Sequence, residues 1–131
     1  MKVLLDTNAY TALFRGHPGV ATRVRQAEQV LVSTVAAGEL LFGFRNGTRY
    51  ETNRQELEDF LASPYVDLLP VTFVTADRFG RISASLRRKG RPLPTNDIWI
   101  AAHAMESGAE LLSFDRHFDE VEGIAWFQPE D

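Results

Sequence analysis

The chain has 131 residues, a formal net charge of −4, 44% apolar residues and no cysteine. That length suits one domain, residues 1–131, and the missing cysteine excludes disulfides, thiolate metal sites and a cysteine nucleophile. No apolar run approaches the roughly 20 residues of a membrane span, and Asp6 follows Val3-Leu4-Leu5 too soon for a signal-peptide core of roughly 7–15 residues. A soluble, cytoplasmic protein with no membrane partner is expected.

Strand-like apolar runs alternate with helix-like stretches, the pattern of an α/β domain with a mainly parallel sheet. Residues 2–5 read as the first strand. Thr7 or Asn8 would cap a short helix to Phe14, stopped by Gly16 and Pro18. A second helix spans Gly19 to about Glu28, a strand 30–33, and a helix 34–44. Asn46-Gly47 is a turn signal, and Asn53 with Glu56 resembles a capping box. That helix would end near Ser63-Pro64, before a strand over 66–71. Thr75 would cap a helix to Lys89, with Gly90 as its stop. After the loop Arg91-Pro92-Leu93-Pro94, Thr95 or Asn96 caps a helix from Asp97 to about Glu106, ended by Gly108. Strands over 110–114 and 124–127 complete the pattern.

Four acids stand where these elements hand over. Asp6 follows the first strand, Glu39 lies in Ser33-Thr34-Val35-Ala36-Ala37-Gly38-Glu39-Leu40, Asp97 opens an apolar helix, and Asp115 follows Leu111-Leu112-Ser113-Phe114. In open parallel sheets, ligands bind beyond the carboxyl ends of the strands. A carboxylate beside apolar residues is costly to desolvate, and clustered carboxylates repel one another. A shared divalent cation removes both problems, and an all-oxygen donor set favours Mg²⁺, with Mn²⁺ as a substitute. Such an ion would activate a water and stabilise charge on a phosphodiester. Taken singly, each acid has a plainer reading: Asp6 or Asp97 as a helix cap, Glu39 as an ordinary helix former.

The four segments together resemble the motifs of PIN-domain nucleases. Leu4-Leu5-Asp6-Thr7-Asn8 is similar to their opening, residues 33–40 to the second acidic motif, Asn96-Asp97-Ile98-Trp99-Ile100-Ala101-Ala102 to the third, and Ser113-Phe114-Asp115-Arg116-His117-Phe118 to the fourth. Their order and the chain length resemble the VapC-type toxins. The resemblance implies a three-layer α/β/α fold and Mg²⁺-dependent endoribonuclease activity leaving 5′-phosphate and 3′-hydroxyl ends. It also implies a homodimer inhibited by a cognate antitoxin. Asp6 and Asp97 carry over as metal ligands, with Glu39 and Asp115 completing the catalytic acidic pocket. Ser113 carries over as a holder of a water or a carboxylate. Leu13, Phe14, Leu41, Phe42 and Phe44 offer an apolar groove for the antitoxin.

Two supporting features stay open to a bland reading. Asn8 either assists Asp6, directly or through water, or simply caps the helix. On the helix over 75–89, Arg78, Arg81 and Arg88 share one side, either as an RNA-binding surface or as a solvated face. Six of the 14 basic residues fall between Arg78 and Arg91, whereas eight acids and only one base, Arg116, lie from Glu106 onward. Two alternatives compete with a nuclease. One is a non-catalytic PIN module that binds RNA or protein. The other is a receiver-like Mg²⁺-binding signalling domain, which would want a second acid directly after the first strand, where Thr7 and Asn8 stand.

Overall fold

Val3-Leu4-Leu5 becomes the centre of the molecule. In the computed structural model, which describes residues 1–130, the elements run β1 (Lys2–Leu5), α1 (Thr7–Phe14), α2 (Pro18–Gln26), β2 (Gln29–Ser33), α3 (Thr34–Arg45), α4 (Tyr50–Leu61), β3 (Val66–Leu69), α5 (Phe73–Lys89), α6 (Thr95–Ser107), β4 (Glu110–Leu112), a 3-10 turn (Arg116–Glu120) and β5 (Ala125–Phe127). Asp131, the last residue of the expected domain, lies outside the described residues. The strands form one sheet in the order β3-β2-β1-β4-β5, and every neighbouring pair is parallel. Val3 stands opposite Val30 on one side of β1, and Leu4 opposite Leu111 on the other.

Side chains of a strand alternate between the faces of a sheet. Val3, Leu4 and Leu5 are nevertheless all buried, so helices cover both faces and the fold has three α/β/α layers. The chain winds outward from β1 through β2 and β3, then returns to start β4 on the other side of β1. The switch point therefore lies between the carboxyl ends of β1 and β4, where a doubly wound sheet opens a crevice. A receiver-like domain would have the order 2-1-3-4-5, so the topology removes that alternative. Among the described residues, no helix is long and apolar enough to cross a membrane.

The starts of α1 and α5 differ from expectation for a common reason. An N-cap needs an extended backbone and a side-chain acceptor, and the last residue leaving a strand or loop supplies both. Asp6, not Thr7 or Asn8, caps α1 by accepting from the Ala9 N–H. Thr72 caps α5, with Thr75 bonding back from the third position of that helix. Asn53 lies inside α4, which starts at Tyr50 with no capping side chain on Arg49. Helix α6 starts at Thr95 behind Pro94, again without a side-chain cap. Strand β3 ends at Leu69 because Pro70 has no N–H to give the ladder. At the far end of α5, Gly90 takes the left-handed conformation (φ 66°) expected of a helix stop.

Helix α6 is pinned by a buried histidine. The His103 Nε2 donates to the Pro70 carbonyl at 2.9 Å, and its Nδ1 meets the Ser33 hydroxyl at 2.9 Å. His103 thus ties the exits of β2 and β3 to the helix that carries Asp97. His103→Ala would leave a cavity and two buried polar groups unpaired. We expect a loss of about 2–4 kcal/mol in urea unfolding; a change under 1 kcal/mol would make the histidine dispensable.

Candidate active site

Asp6 and Asp115 follow the carboxyl ends of β1 and β4, whereas Glu39 and Asp97 stand on α3 and α6. Asp6 leaves β1 and is only 7% exposed. Its Oδ1 accepts the Ala9 N–H at 2.8 Å, and the Ser113 hydroxyl lies near enough to favour its charged form. Glu39 stands half-buried on α3 and is held at both oxygens. The Thr7 hydroxyl donates to Oε1 at 2.6 Å, and the Asn96 amide to Oε2 at 3.3 Å. Asp97 sits half-buried in the first turn of α6, where the helix dipole favours a negative charge. Asp115 caps the 3-10 turn by accepting the His117 N–H at 2.9 Å, and its Oδ1 also meets His117 Nδ1 at 2.8 Å.

Strand β5 holds the segment that carries Ser113 and Asp115. The Ser113 N–H donates to the Phe127 carbonyl, the Trp126 indole to the Ser113 carbonyl, and the Gln128 amide to the Phe114 carbonyl. Ser113 is fully buried, and its Oγ accepts the Asp115 N–H at 3.0 Å. That hydroxyl stands beside Asp6 and holds the Asp115 backbone.

The acids lie close enough to repel one another. Burial pushes the Asp6 carboxyl above the usual carboxylate range; the Ser113 hydroxyl and the Ala9 hydrogen bond oppose that shift, and Asp115 and Glu39 add to it. The Asp97 carboxyl is pushed up to about 6, first by burial and then by Asp115, Glu39 and Asp6, with His117 opposing. Among the described residues, no Lys or Arg pairs with any of the four; His117, on Asp115, is their one basic neighbour within ion-pair distance.

No three His, Asp or Glu side chains among the described residues are arranged to hold a metal ion directly. Glu39 is clasped at both oxygens, and Asp6 and Asp115 each bind protein donors. The donor set nonetheless fits Mg²⁺ well. That ion keeps several of its waters and needs only one or two protein carboxylates. Repelling, unneutralised oxygens are what such a hydrated dication relieves.

The other expected residues fall in separate places. Asn8 is exposed and makes no capping bond, because Asp6 makes it. Arg78 and Arg81 both lean on Asp77, at 2.6 and 3.2 Å, so much of that face's charge is neutralised locally; Arg88 is exposed. Thr7 and Asn96 are additions, because sequence reasoning treated both as helix caps. Their positions inside the first and third acidic motifs were the available signal.

A cleft of about 590 Å³ opens beside Glu39 and Thr7, and Arg15 and Arg49 also line it. A larger concavity of about 750 Å³ lies over Phe14, Glu51, Glu56, Asp59 and Phe60, and none of the four acids lines it.

A doubly wound parallel sheet with four carboxylates gathered at its switch point defines a class of acidic-pocket α/β domains suited to cation-assisted phosphodiester chemistry. Comparison with known proteins narrows that class. The PIN domain model matches residues 3–124, and the chain belongs to the PIN-domain family. It is 34% identical over 124 residues, 92% of each chain, to a protein of Haemophilus influenzae named ribonuclease VapC2. It is 29% identical over 127 residues, 95% of each chain, to the tRNA(fMet)-specific endonuclease VapC of Shigella flexneri. The 2.2 Å resolution structure of VapBC-1 from nontypeable Haemophilus influenzae contains a chain that superposes with a TM-score of 0.86 at 27% identity, covering 98% of both chains.

Proposed function

We propose that this chain is a divalent-metal-dependent endoribonuclease of the VapC toxin type, acting as a single PIN unit over residues 1–131 and neutralised by a cognate antitoxin. The observation that carries the reading is the cluster of four mutually repelling acids without a Lys or Arg partner, in a chain that aligns nearly end to end with named ribonucleases. Asp6 and Asp97 would hold Mg²⁺, or Mn²⁺ in its place, with Asp115 beside them. When bound, the ion supplies a water of lowered pKa and offsets charge building on the phosphate.

The protein's own groups do the positioning. Ser113 holds the Asp115 backbone beside Asp6. Thr7 and Asn96 lock Glu39 in one rotamer, so that its carboxylate orients the attacking water. Water attacks phosphorus in line and the 3′ oxygen leaves, giving 5′-phosphate and 3′-hydroxyl ends. No side-chain nucleophile is needed, consistent with a chain that lacks cysteine. A non-catalytic module is disfavoured because all four acids are present and gathered.

An RNA substrate inside the cell puts the protein in the cytoplasm. A homodimer belongs to the same reading. Phe73, 89% exposed, with Tyr65, Leu68 and Val74, leaves apolar surface in water that a second copy would cover. Purified protein is expected to cleave total RNA with Mg²⁺ or Mn²⁺, to stop on chelation by EDTA, and to leave ends that carry a 5′-phosphate. Intact RNA with both ions would overturn the nuclease reading.

A further inference from the structure

A pocket of about 350 Å³ lies where α5 ends and α6 begins, and it shares no lining residue with the cleft beside Glu39. We propose that this pocket holds one unstacked nucleotide of the RNA strand, with its base on the apolar floor and its phosphate between Arg87 and Arg91. The assignment rests on the nuclease reading and adds a second point at which the strand is held.

The pocket is built by the fold itself. Leu86, Leu93 and Ile98 form its floor and are at most 9% exposed. Gly90 ends α5 in the left-handed conformation, and the Arg91 N–H donates back to the Leu86 carbonyl at 3.0 Å. That turn folds the loop over the end of the helix, and Pro92 and Pro94 stiffen it by fixing φ. The volume lies near the lower end of the range for small-ligand sites, roughly 300–1,000 Å³, which suits one base and its sugar.

Charge is the second argument. Arg87 and Arg91 are exposed and line the pocket, and no acid does. Among the described residues, neither makes an ion pair or a side-chain hydrogen bond, whereas Arg23, Arg54, Arg78 and Arg81 are paired with acids and Lys89 with Glu122. Cations in a helix's last turn complement its dipole, which accounts for Arg87, Arg88 and Lys89. It does not account for Arg91, which lies beyond Gly90. Two free guanidinium groups at one pocket match the oxygens of a phosphate.

An orphaned hydroxyl is the third. Ser83 lines the pocket, and its buried Oγ has no hydrogen-bond partner in the protein. Such a group carries a desolvation cost that the polar edge of a base relieves. Position is the fourth. In the first turn of α6, Asn96 holds Glu39, Asp97 faces the acids and Ile98 lines this pocket. A strand whose phosphate meets Asp97 therefore has its neighbouring nucleotides beside Arg91. An acidic peptide would also be drawn to the arginines, but its backbone needs several partners, and Ser83 is the one hydroxyl in the lining.

The test measures binding separately from cutting. In an Asp6→Asn background with Mg²⁺ present, a fluorescein-labelled single-stranded RNA dodecamer of mixed sequence is titrated at several KCl concentrations. Arg87→Gln with Arg91→Gln is expected to raise Kd about tenfold and to flatten the slope of log Kd against log salt by roughly 0.7 per lost phosphate contact. Arg88→Gln, outside the pocket, should change neither. Ser83→Leu fills the pocket and keeps both arginines. It should raise Kd about fivefold, the low end for one held base, with the salt slope intact. That penalty should vanish on an abasic dodecamer, which offers phosphates without bases. Unfolding in urea checks that each variant is folded, and Ser83→Ala, with a smaller rise in Kd, replaces Ser83→Leu if the latter is not. An unchanged Kd in the double Arg variant overturns the site. So does an equal loss in Arg88→Gln, a Ser83→Leu penalty that persists on the abasic strand, or a double Arg variant that loses only its hold on a co-expressed antitoxin. A wild type that leaves RNA uncut with Mg²⁺ and Mn²⁺ overturns the nuclease reading beneath it.

Discussion

Asp97→Asn is expected to abolish RNA cleavage while leaving the protein folded, and Asp6→Asn to do the same. Both substitutions keep shape and remove one negative charge. At Asp6 the amide oxygen can still accept the Ala9 N–H, because Asn caps helices nearly as well as Asp. At Asp97 no capping bond is lost, since α6 has no side-chain cap. What disappears is charge at the point where the cation would be held. Even a partner lying behind a metal ligand is worth 10- to 100-fold in affinity or activity, so loss of a direct ligand should cost about 100-fold or more. Single-turnover cleavage of a labelled RNA, run beside urea unfolding, separates chemistry from folding. A purified Asp97→Asn protein that cuts at the wild-type rate would remove Asp97 from the reaction.

The same substitution is expected to stabilise the protein when no divalent cation is present, in a way that depends on pH. Burial and the neighbouring acids hold the Asp97 carboxyl near 6, above the ordinary 3.8. Between about pH 4 and 6 the folded protein keeps a proton that the unfolded chain has released. Its stabilising contribution is complete below pH 4 and is lost as pH rises through 6. At face value the shift is worth about 3 kcal/mol, at roughly 1.4 kcal/mol per unit. Because Asp97 is only half-buried, solvent screening reduces this to about 1–2 kcal/mol. Asp97→Asn should therefore be more stable than wild type at pH 7, with the gap closing below pH 4. Asp6, also raised, acts in the same direction.

Adding Mg²⁺ or Mn²⁺ at pH 7 should reverse the order. A ligand at 100 times its Kd stabilises the folded state by about 2.7 kcal/mol, and the variant would forgo most of that. Protons compete with the cation, so cleavage by the wild type should climb between pH 5 and 7. A wild type whose melting temperature ignores both pH and cation would contradict the coupled pocket.

The strands and the acids behind them were legible because both follow from local pattern. Short apolar runs of Val and Leu mark buried parallel strands, Asp6 and Asp115 lie at or near the ends of such strands, and Asp97 opens an apolar helix. Helix caps were less legible, by one to four residues. Asp6, Thr72 and Pro94 take the cap positions because of the backbone they inherit from what precedes them, which composition does not encode. The clasp of Thr7 and Asn96 on Glu39 joins residues 32 and 57 positions apart, and only packing reveals it. Arg15 and Arg49 could not be placed from sequence for the same reason. Their shared cleft exists because α1, α3 and α4 meet around Tyr10, Leu40 and Leu57. The basic helix face looked continuous in sequence because spacing shows which side a residue occupies, but not that Asp77 would pair with two of its arginines.

The stitching of β5 onto the segment bearing Ser113 and Asp115 has a consequence for biosynthesis. A chain still emerging from a ribosome has Asp6, Glu39 and Asp97 outside the exit tunnel well before Trp126, Phe127 and Gln128. Until those residues arrive, only the pairing of β4 with β1 holds Ser113 and Asp115 beside Asp6. An enzyme that cuts RNA is thereby assembled without its finished pocket while the message encoding it is still being read, and it acquires that pocket only as synthesis of its sheet ends.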